Sequence, residues 1–320
     1  MKLKKKKIII DCDPGIDDSL AILLAINSEE VDLIGITVVG GNVDAMKCAI
    51  NAIKVLEVGG RLDIPVYLGE SKPLVRELET AEETHGEGGL GKVVVQKSED
   101  QKLIKSGAID FLLANSSDCH LITIGPMINL ARAIQKDKEA FNKFLSITSM
   151  GGAYKSHGNC SQVAEFNYWV DPHAVQLVYD NYDKPITMVG LDVTRSCVLT
   201  PDYRQLLKFI DTPVSNFIYD ITEFYVDFHW EQERTLGCVI NDPLAMAYFI
   251  DNTLADGFYS NLEMVVQGNA IGQSMIDVQG FYKREDNVLV LTEVDNIRFM
   301  NMFFKRLFKG YEKDIDLVIK

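Results

Sequence analysis

Short apolar runs alternate along the chain with longer segments in which apolar residues recur at helical spacing. Residues 8–10, 31–39 and 65–68 form such apolar runs and predict buried strands. The segments 19–26 and 43–57 between them have apolar positions three and four residues apart and predict helices. A strand-helix-strand order of this kind predicts a parallel sheet with right-handed crossovers.

The alternation continues towards the C-terminus, where its character changes twice. An aromatic-rich segment at 201–236 predicts a helical insertion near the active site whose rings serve mainly for packing, and runs at 262–266, 275–281 and 287–294 predict short mixed strands. Further strands are predicted at 121–124, 144–150 and 186–189, and further helices at 103–114, 127–134, 172–179, 244–250 and 296–308.

The predicted fold class is therefore α/β. We expect an open, mostly parallel, Rossmann-like sheet flanked by helices, with a helical insertion and a C-terminal mixed β/α region. Because no internal repeat, low-complexity tract or Pro/Ser-rich linker divides the chain, residues 1–320 are predicted to form one domain.

The densest chemistry follows the first predicted strand, where residues 11–18 have the sequence Asp-Cys-Asp-Pro-Gly-Ile-Asp-Asp. Open α/β sheets bind ligands outside the carboxyl ends of their strands. Carboxylates this close raise one another's pKa unless a cation joins them, and a hard cation with oxygen ligands is the simplest partner. If Asp17 or Asp18 only capped the helix, the other carboxylates would be unexplained. We therefore predict a metal-binding role for Asp13 and Asp18 together.

Composition and charge narrow the class of partner. The 320 residues are 47% hydrophobic and 24% charged, which is typical of a globular protein. A net charge of −14 argues against a nucleic-acid polymer or an anionic membrane and favours a small neutral or cation-bridged ligand. No apolar run approaches the length of a transmembrane helix, and the lysines of residues 1–7 predict a solvated lead-in to the first strand.

The six cysteines carry no metal-like spacing, so reduced, buried thiols in a cytoplasmic protein are expected. Residues 69–101 break the α/β alternation with a charged stretch that contains Thr-His-Gly-Glu-Gly-Gly. Long loops in compact domains are often functional, so this segment, with His85 at its centre, is predicted to lie over the ligand edge of the sheet.

Several motifs in chain order resemble those of the inosine/uridine-preferring nucleoside hydrolases. Besides residues 11–18 they are Val-Val-Gly-Gly-Asn at 38–42, Thr-His-Gly at 84–86, Ile-Gly-Pro-Met-Ile-Asn at 124–129, Met-Gly-Gly at 150–152, Val-Ala-Glu-Phe-Asn at 163–167 and Asn-Asp-Pro at 241–243. The resemblance covers most of the chain. It implies hydrolysis of the N-glycosidic bond of purine or pyrimidine ribonucleosides to base and ribose, in nucleoside catabolism and salvage, by a homodimer or homotetramer with tightly bound calcium.

The same resemblance implies roles for individual residues. The calcium ligands would be Asp13, Asp18, the backbone carbonyl of Ile124 and Asp242. The ribose would be bound by Asp17, Asn42, Met150, Asn159, Glu165 and Asn167. Structural alternatives remain open for some of them: Asn42 as a helix N-cap, Asn159 as an ordinary turn residue, and Glu165 with Asn167 as a solvated polar alternation.

The chemistry of such a reaction accounts for these residue types. Departure of a base from C1′ leaves an oxocarbenium-like ribosyl cation, and a carboxylate must activate the attacking water. A metal lowers the pKa of bound water, so Asp13 beside it can act as general base. Amides and carboxylates that fix the ribose lower the entropic part of the barrier.

The chain departs from the pattern at Asn241, where the best-known branch has a histidine that is thought to protonate the leaving base. An amide donates a hydrogen bond but delivers no proton. Either His85 or His229 serves as the acid, or Asn241 contacts the base directly, or the protein is a nucleoside- or ribose-binding homologue with little turnover. A remote alternative is a magnesium-dependent phosphohydrolase of the haloacid dehalogenase type, which Gly-Gly-Asn at 40–42 in place of a Ser or Thr disfavours.

Overall fold

The computed structural model describes residues 5–95 and 99–320, which contain strands and helices in the predicted alternation. The strands are β1 (Lys6–Cys12), β2 (Val31–Val38), β3 (Val66–Leu68), β4 (Ile104–Ser106), β5 (His120–Thr123), β6 (Ile147–Met150), β7 (Ile186–Val189), β8 (Val198–Leu199), β9 (Cys238–Val239), β10 (Ala255–Ser260), β11 (Leu262–Met264), β12 (Ser274–Ile276) and β13 (Val288–Val294).

The helices pack on both faces of the sheet and also form the predicted insertion. They are α1 (Ile16–Ile26), α2 (Ala45–Val58), α3 (Glu82–His85), α4 (Ala108–Asn115), α5 (Ile128–Phe141), α6 (Phe166–Val170), α7 (Pro172–Asn181), α8 (Leu191–Thr194), α9 (Pro201–Ile210), α10 (Pro213–Glu233), α11 (Asp242–Ile250), α12 (Asn296–Leu307) and α13 (Glu312–Val318), with a short 3-10 helix at Glu99–Leu103.

In the described part of the chain, nine strands form one open sheet in the order β10-β13-β7-β6-β5-β1-β2-β3-β4. Every pairing in it is parallel except that of β10 with β13. The strand order reverses at β1, which lies between β2 and β5, so a crevice opens at the carboxyl end of β1. The α/β prediction, with a mostly parallel sheet and a mixed C-terminal region, is confirmed.

The first strand and helix form the centre of the core because residues 8–10 of β1 and residues 20–25 of α1 are apolar on every side. Ile8, Ile9 and Ile10 of β1 are fully buried, as parallel strands covered on both faces require. Helix α1 is buried along its length and packs against α11. Truncating a residue such as Leu24 would leave a cavity and cost about 2–5 kcal/mol of stability. The close packing of α1 holds the polar residues of its first turn in place.

Several predicted elements differ from the structure. The helix at 103–114 is β4 followed by α4, because a three-residue edge strand is too short to show a period. The predicted strand at 275–281 ends at Ile276, the last residue of β12, so its prediction for 277–281 was wrong. Strand β10 and helices α6 and α13 were not predicted. Helix α5 continues to Phe141, past the predicted end.

The segment 69–95 is largely irregular, as predicted, but it contains α3, while residues 96–98 of the predicted loop lie outside the described residues. So do residues 1–4 of the predicted lead-in, and β1 begins at Lys6. All six cysteines are free, but Cys160 is exposed, which corrects the expectation that every thiol is buried. Within 5–95 and 99–320, no helix is long and apolar enough to span a membrane.

Candidate functional site

Four buried aspartates converge at the carboxyl end of β1. Asp13 follows β1, Asp17 and Asp18 lie in the first turn of α1, and Asp242 is the first residue of α11. One carboxylate oxygen from each of Asp17, Asp18 and Asp242 lies within 4.8 Å of the others. We call these four residues the carboxylate cluster.

Asp13 and Asp18 are locked to each other and to Asn42. The Asp13 backbone N–H donates to Asp18 Oδ1 (3.2 Å), and Asn42 donates from its backbone N–H to Asp13 Oδ2 (2.7 Å) and from Nδ2 to Asp18 Oδ2 (3.0 Å). Asp13 Oδ1 is buried and has no hydrogen-bond partner among the described residues. A buried polar atom left unpaired is costly, so this oxygen is available to a ligand.

Two glycines make room for Asp13. A Cβ at Gly41 would overlap Asp13 Oδ2, and one at Gly125 would overlap Asp13 Oδ1. These contacts explain the glycines at positions 41 and 125, shortly after β2 and β5, because the backbone there approaches the Asp13 carboxylate too closely for any side chain.

Burial and mutual repulsion raise the pKa values of three aspartates of the cluster, Asp13, Asp18 and Asp242. Desolvation and the Asp18 charge raise the pKa of Asp13 well above its ordinary value, and desolvation and Asp17 do the same for Asp242. The pKa of Asp18 is raised to about 7, first by burial and then by Asp17. Such a cluster ionises fully only when positive charge joins it.

A fifth buried aspartate, Asp11 of β1, stabilises the fold next to the cluster. Asp11 is fully buried, and its Oδ2 accepts from Thr37 Oγ1 (2.5 Å) and Asn129 Nδ2 (2.8 Å). Burial raises the pKa of Asp11 to about 7. Asn129 also accepts from the Glu70 backbone N–H (2.8 Å), so this pair ties β1, the loop after β3 and α5 together. Asn129 is the last residue of the motif at 124–129, but this structural role was not predicted from the sequence.

Of the predicted ribose contacts, Asn42 is not a helix N-cap. Asp44 caps α2 by accepting from the backbone N–H groups of Met46 and Lys47, whereas the Asn42 side chain is buried against the carboxylate cluster. The N-cap alternative is therefore wrong.

Glu165 and Asn167 are buried, so the alternative of a solvated alternation is wrong as well. Glu165 caps α6 and accepts from three backbone N–H groups, and burial raises its pKa to about 7. Asn167 Nδ2 donates to the carbonyls of Ile124 (3.1 Å) and Met150 (3.3 Å). Asn159 is exposed, and its Oδ1 accepts from the Phe166 backbone N–H (2.9 Å), so it closes a turn while it also faces the cavity.

Asn241 holds Asp17 in place. Its Nδ2 donates to Asp17 Oδ2 (3.0 Å), and its backbone N–H reaches the same oxygen (3.3 Å). Tyr225 of α10 donates its hydroxyl to that oxygen as well (3.3 Å). Asn241 therefore binds the carboxylate cluster and also lines the cavity. Tyr225, which was predicted only as a packing aromatic, is a site residue as well.

Both candidate histidines are held as neutral rings. His85 Nδ1 accepts from the Ile16 backbone N–H (3.1 Å), which leaves the ring proton on Nε2, and burial lowers its pKa to about 4. His229 Nδ1 donates to the Tyr225 carbonyl (2.8 Å), and burial lowers its pKa too. His85 ends the short helix α3 instead of lying in a glycine loop. Burial therefore favours the neutral form of both rings.

A cavity of about 730 Å³ opens above the cluster. Every predicted site residue lines it except Asp13 and Asp18, which lie beneath it against Asn42. One side is formed by Phe224, Tyr225, Phe228 and His229 of α10 together with His85, and we call these residues the aromatic wall. Trp169 and Phe166 complete the ring lining from α6.

Comparison with known proteins gives this geometry a family. The model of the inosine-uridine preferring nucleoside hydrolase family matches residues 8–301. The chain belongs to that family. An inosine-uridine preferring nucleoside hydrolase of Leishmania major is 36% identical over 287 residues, which are 88% of this chain and 90% of the relative.

Two further relatives extend the likeness to the whole chain. The pyrimidine-specific ribonucleoside hydrolase RihB of Escherichia coli is 32% identical over 317 residues, 97% of this chain and 99% of that protein. The structure of a purine-preferring ribonucleoside hydrolase from Gardnerella vaginalis superposes with a TM-score of 0.88 at 32% identity, covering 96% of this chain and all 100% of the other. This member of the nucleoside hydrolase family is thus an enzyme.

Proposed function

We propose that this nucleoside hydrolase cleaves the N-glycosidic bond of ribonucleosides to free nucleobase and ribose, with Asp13 as general base and calcium held in the carboxylate cluster. The observation that carries the proposal is the unpaired, buried Asp13 Oδ1 beside three further aspartates. The names of the relatives, which cover inosine-uridine, pyrimidine and purine ribonucleosides, support the substrate class.

The donor set fits a hard cation. Asp13, Asp18, Asp242 and the Ile124 carbonyl offer only oxygens, as calcium prefers, and positive charge would offset the repulsion that raises the carboxylate pKa values. Asp17 belongs to the same group of oxygens, but its Oδ2 is committed to Asn241 and Tyr225. When bound, the ion lowers the pKa of a coordinated water.

The residues of the chain supply the remaining steps. Asp13 accepts the proton of the attacking water, and Asp17, Asn42 and the α6 residues hold the ribose hydroxyls. Asn42 and Asn167 offer amide groups, Glu165 and Asp17 offer carboxylate oxygens, and Met150 gives the sugar an apolar contact. Asn159, on the exposed lip, closes the sugar site from the solvent side.

The leaving base departs without a strong acid from the chain. His85 offers a neutral Nε2–H, and Asn241 offers an amide that is already engaged with Asp17. Both donate hydrogen bonds, and so stabilise negative charge on the base, without transferring a proton at neutral pH. His229 is the second candidate donor, and its lowered pKa gives it the same limit.

The wider setting follows from the family resemblance. We propose a cytoplasmic role in nucleoside salvage and a homodimer or homotetramer, with residues 1–320 acting as one domain because the nine-stranded sheet draws on both halves of the chain. Sedimentation analysis of the purified protein would test the oligomer.

Release of ribose from a panel of purine and pyrimidine nucleosides, in calcium and in chelator, tests the proposal. We expect calcium-dependent release that Asp13→Asn lowers by about 1,000-fold or more, whereas Asp256→Asn, at an exposed position on β10, keeps full activity. Release of phosphate from phosphate esters would favour the phosphohydrolase. Tight nucleoside binding without base release would favour the binding homologue.

A further inference from the structure

The mouth of the cavity carries negative charge. Its exposed carboxylates are Glu79, Glu83, Asp227, Glu231 and Glu233. Three cations lie nearby, and each is already paired: Arg76 with Glu79 (3.4 Å), Lys92 with Asp227 (3.5 Å) and Arg195 with Glu233 (2.8 Å). Among the described residues, no ion pair involves Glu83 or Glu231. The entrance therefore attracts cations and repels anions.

Aromatic rings line the cavity below these carboxylates. Phe224 and Tyr225 are adjacent on α10, and Phe228 lies about one turn further along the same helix. Trp169 lines the same cavity from α6. The Arg76 guanidinium already lies 4.2 Å from the centre of the Trp169 ring, so the rings left for a cationic base are those of α10. Ring faces attract positive charge, which is the basis of aromatic cages for quaternary nitrogen.

The titratable groups of the aromatic wall are His85, His229 and Tyr225, and burial lowers the pKa of both histidines, which favours their neutral forms. His85 receives the Ile16 N–H at Nδ1, and the Tyr225 hydroxyl is bound to an acid, Asp17. Outside the wall, Asn241 is an amide, which delivers no proton. Glu165, whose pKa burial raises to about 7, belongs to the proposed ribose site, and backbone N–H groups engage both of its oxygens. A neutral base such as guanine or uracil leaves as an anion unless it is protonated, so this wall handles it poorly.

We propose that the preferred substrates are N-ribosides whose base carries a fixed positive charge, such as N7-alkylated purine ribosides and N-ribosyl pyridinium compounds. The proposal rests on the hydrolase function proposed above and names the substrate class of the same site. The acidic mouth concentrates such ribosides, the rings of the cavity hold the cationic base, and the missing acid is not required.

The reaction balances without a general acid. The bond between C1′ and the cationic nitrogen breaks, and its electron pair returns to the base, which leaves neutral. The oxygen of water forms the new bond to C1′, and one water proton passes to Asp13 and then to solvent. The products are ribose, the neutral base and one proton.

A matched pair of substrates tests the proposal, namely 7-methylguanosine against guanosine, with nicotinamide riboside as a cation of different ring shape. Because methylation also weakens the bond in water, each ratio of kcat/KM is divided by the ratio of the uncatalysed rates. We expect this corrected preference for 7-methylguanosine to be about tenfold or more, with nicotinamide riboside also hydrolysed.

Two variants separate charge at the mouth from chemistry at the wall. Glu83→Gln/Glu231→Gln should lower the corrected preference about threefold, and 0.5 M salt should lower it similarly. The double variant Glu139→Gln/Glu293→Gln, which removes the same charge at exposed positions outside the cavity lining, should leave the corrected preference unchanged. Asn241→His should lower it about tenfold by accelerating guanosine alone.

A corrected preference near one, or one that the mouth variants leave intact, would overturn the proposal while guanosine hydrolysis would keep the hydrolase function. If neither riboside releases its base, both proposals fail together.

Discussion

The carboxylate cluster and the aromatic wall face each other across one cavity but are built in different ways. The cluster draws on residues beside strand ends and on the first turns of α1 and α11, and backbone N–H groups fix its oxygens. The wall consists of side chains on one long helix, α10, and on the short helix α3, which reach the cluster chiefly through Tyr225 and Asp17.

This difference separates two tasks. Rigid, buried polar groups at a strand end suit the steps proposed to be common to every substrate, namely binding of ribose and activation of water. Aromatic side chains on a helical insertion can change without disturbing the sheet, so they suit recognition and release of the base. The comparison predicts that changes in the cluster abolish function, while changes in the wall redirect it.

The largest effect is expected inside the cluster, from Asp18→Asn. Asp18 accepts from Gly15 and Asp13 and contributes an oxygen to the proposed calcium site. Losing one carboxylate should lower calcium affinity about 100-fold or more. Titration calorimetry measures this directly, and the calcium-induced rise in Tm should disappear in parallel. Asp32→Asn, on β2 and exposed, is the control, and unchanged affinity in Asp18→Asn would remove Asp18 from the site.

The next largest effect concerns the wall and its pH dependence. Burial lowers the pKa of His85 to about 4 in the folded protein. Between about pH 6.5 and pH 4, the unfolded chain therefore binds a proton at this residue that the folded protein does not bind. Stability should therefore fall as pH drops from about 6.5 towards 4. Relative to His85→Asn, whose Oδ1 can replace Nδ1 as acceptor, the parent should lose about 2 kcal/mol between pH 7 and pH 5.

Urea unfolding at the two pH values measures that difference. The raised pKa values of buried acids act in the opposite direction in both proteins, so only the difference between parent and variant reports on His85. His173→Asn, on α7 outside the cavity, controls for loss of a histidine. Equal slopes for parent and His85→Asn would show that His85 titrates normally.

Much of the fold could be predicted because its main elements are strongly patterned. The apolar run of β1, the amphipathic α2 and the Asp-Pro start of α11 follow from local sequence. β4 and α6 could not be predicted, since three to five residues are too few for a period and their conformation depends on neighbouring elements. Strands β11 and β12 overlap the predicted runs 262–266 and 275–281, but their pairing as a ribbon separate from the main sheet was not predicted.

The candidate site divides in the same way. Acids and amides that follow strands were found because chain order places parallel strand ends at one edge. Tyr225 was missed because a tyrosine with an apolar face on a helix has the pattern of packing, and only its approach to Asp17 distinguishes it. The hydrogen bond from Asn241 to Asp17 was not predicted either, because the two residues are far apart in sequence and meet only in the folded protein.

A moderate effect is expected from Asn241→His, which places an acid between cluster and wall. Kcat for neutral nucleosides should rise about tenfold, less than the full range of general acid catalysis because the amide contact with Asp17 is lost. The pH profile should gain a limb that falls above pH 6 to 7, and Asn241→Ala should show neither the rise nor the limb. A uniform loss of activity in both variants would mean that Asn241 serves Asp17 alone.

The smallest effect is expected from Tyr225→Phe, which removes the single hydroxyl that links wall to cluster and keeps the ring. One hydrogen bond to a carboxylate contributes about 1–2 kcal/mol, and Asn241 still holds Asp17 Oδ2, so kcat/KM should fall only about threefold to tenfold. Since Asp17 is proposed to bind ribose, the loss should fall on KM and be equal for purine and pyrimidine nucleosides. Tyr219→Phe, on the same helix beside Arg204, should change nothing. A loss that depended strongly on the base would move Tyr225 from support of the carboxylate cluster to recognition by the aromatic wall, and the division of tasks between the two regions would then run through this residue.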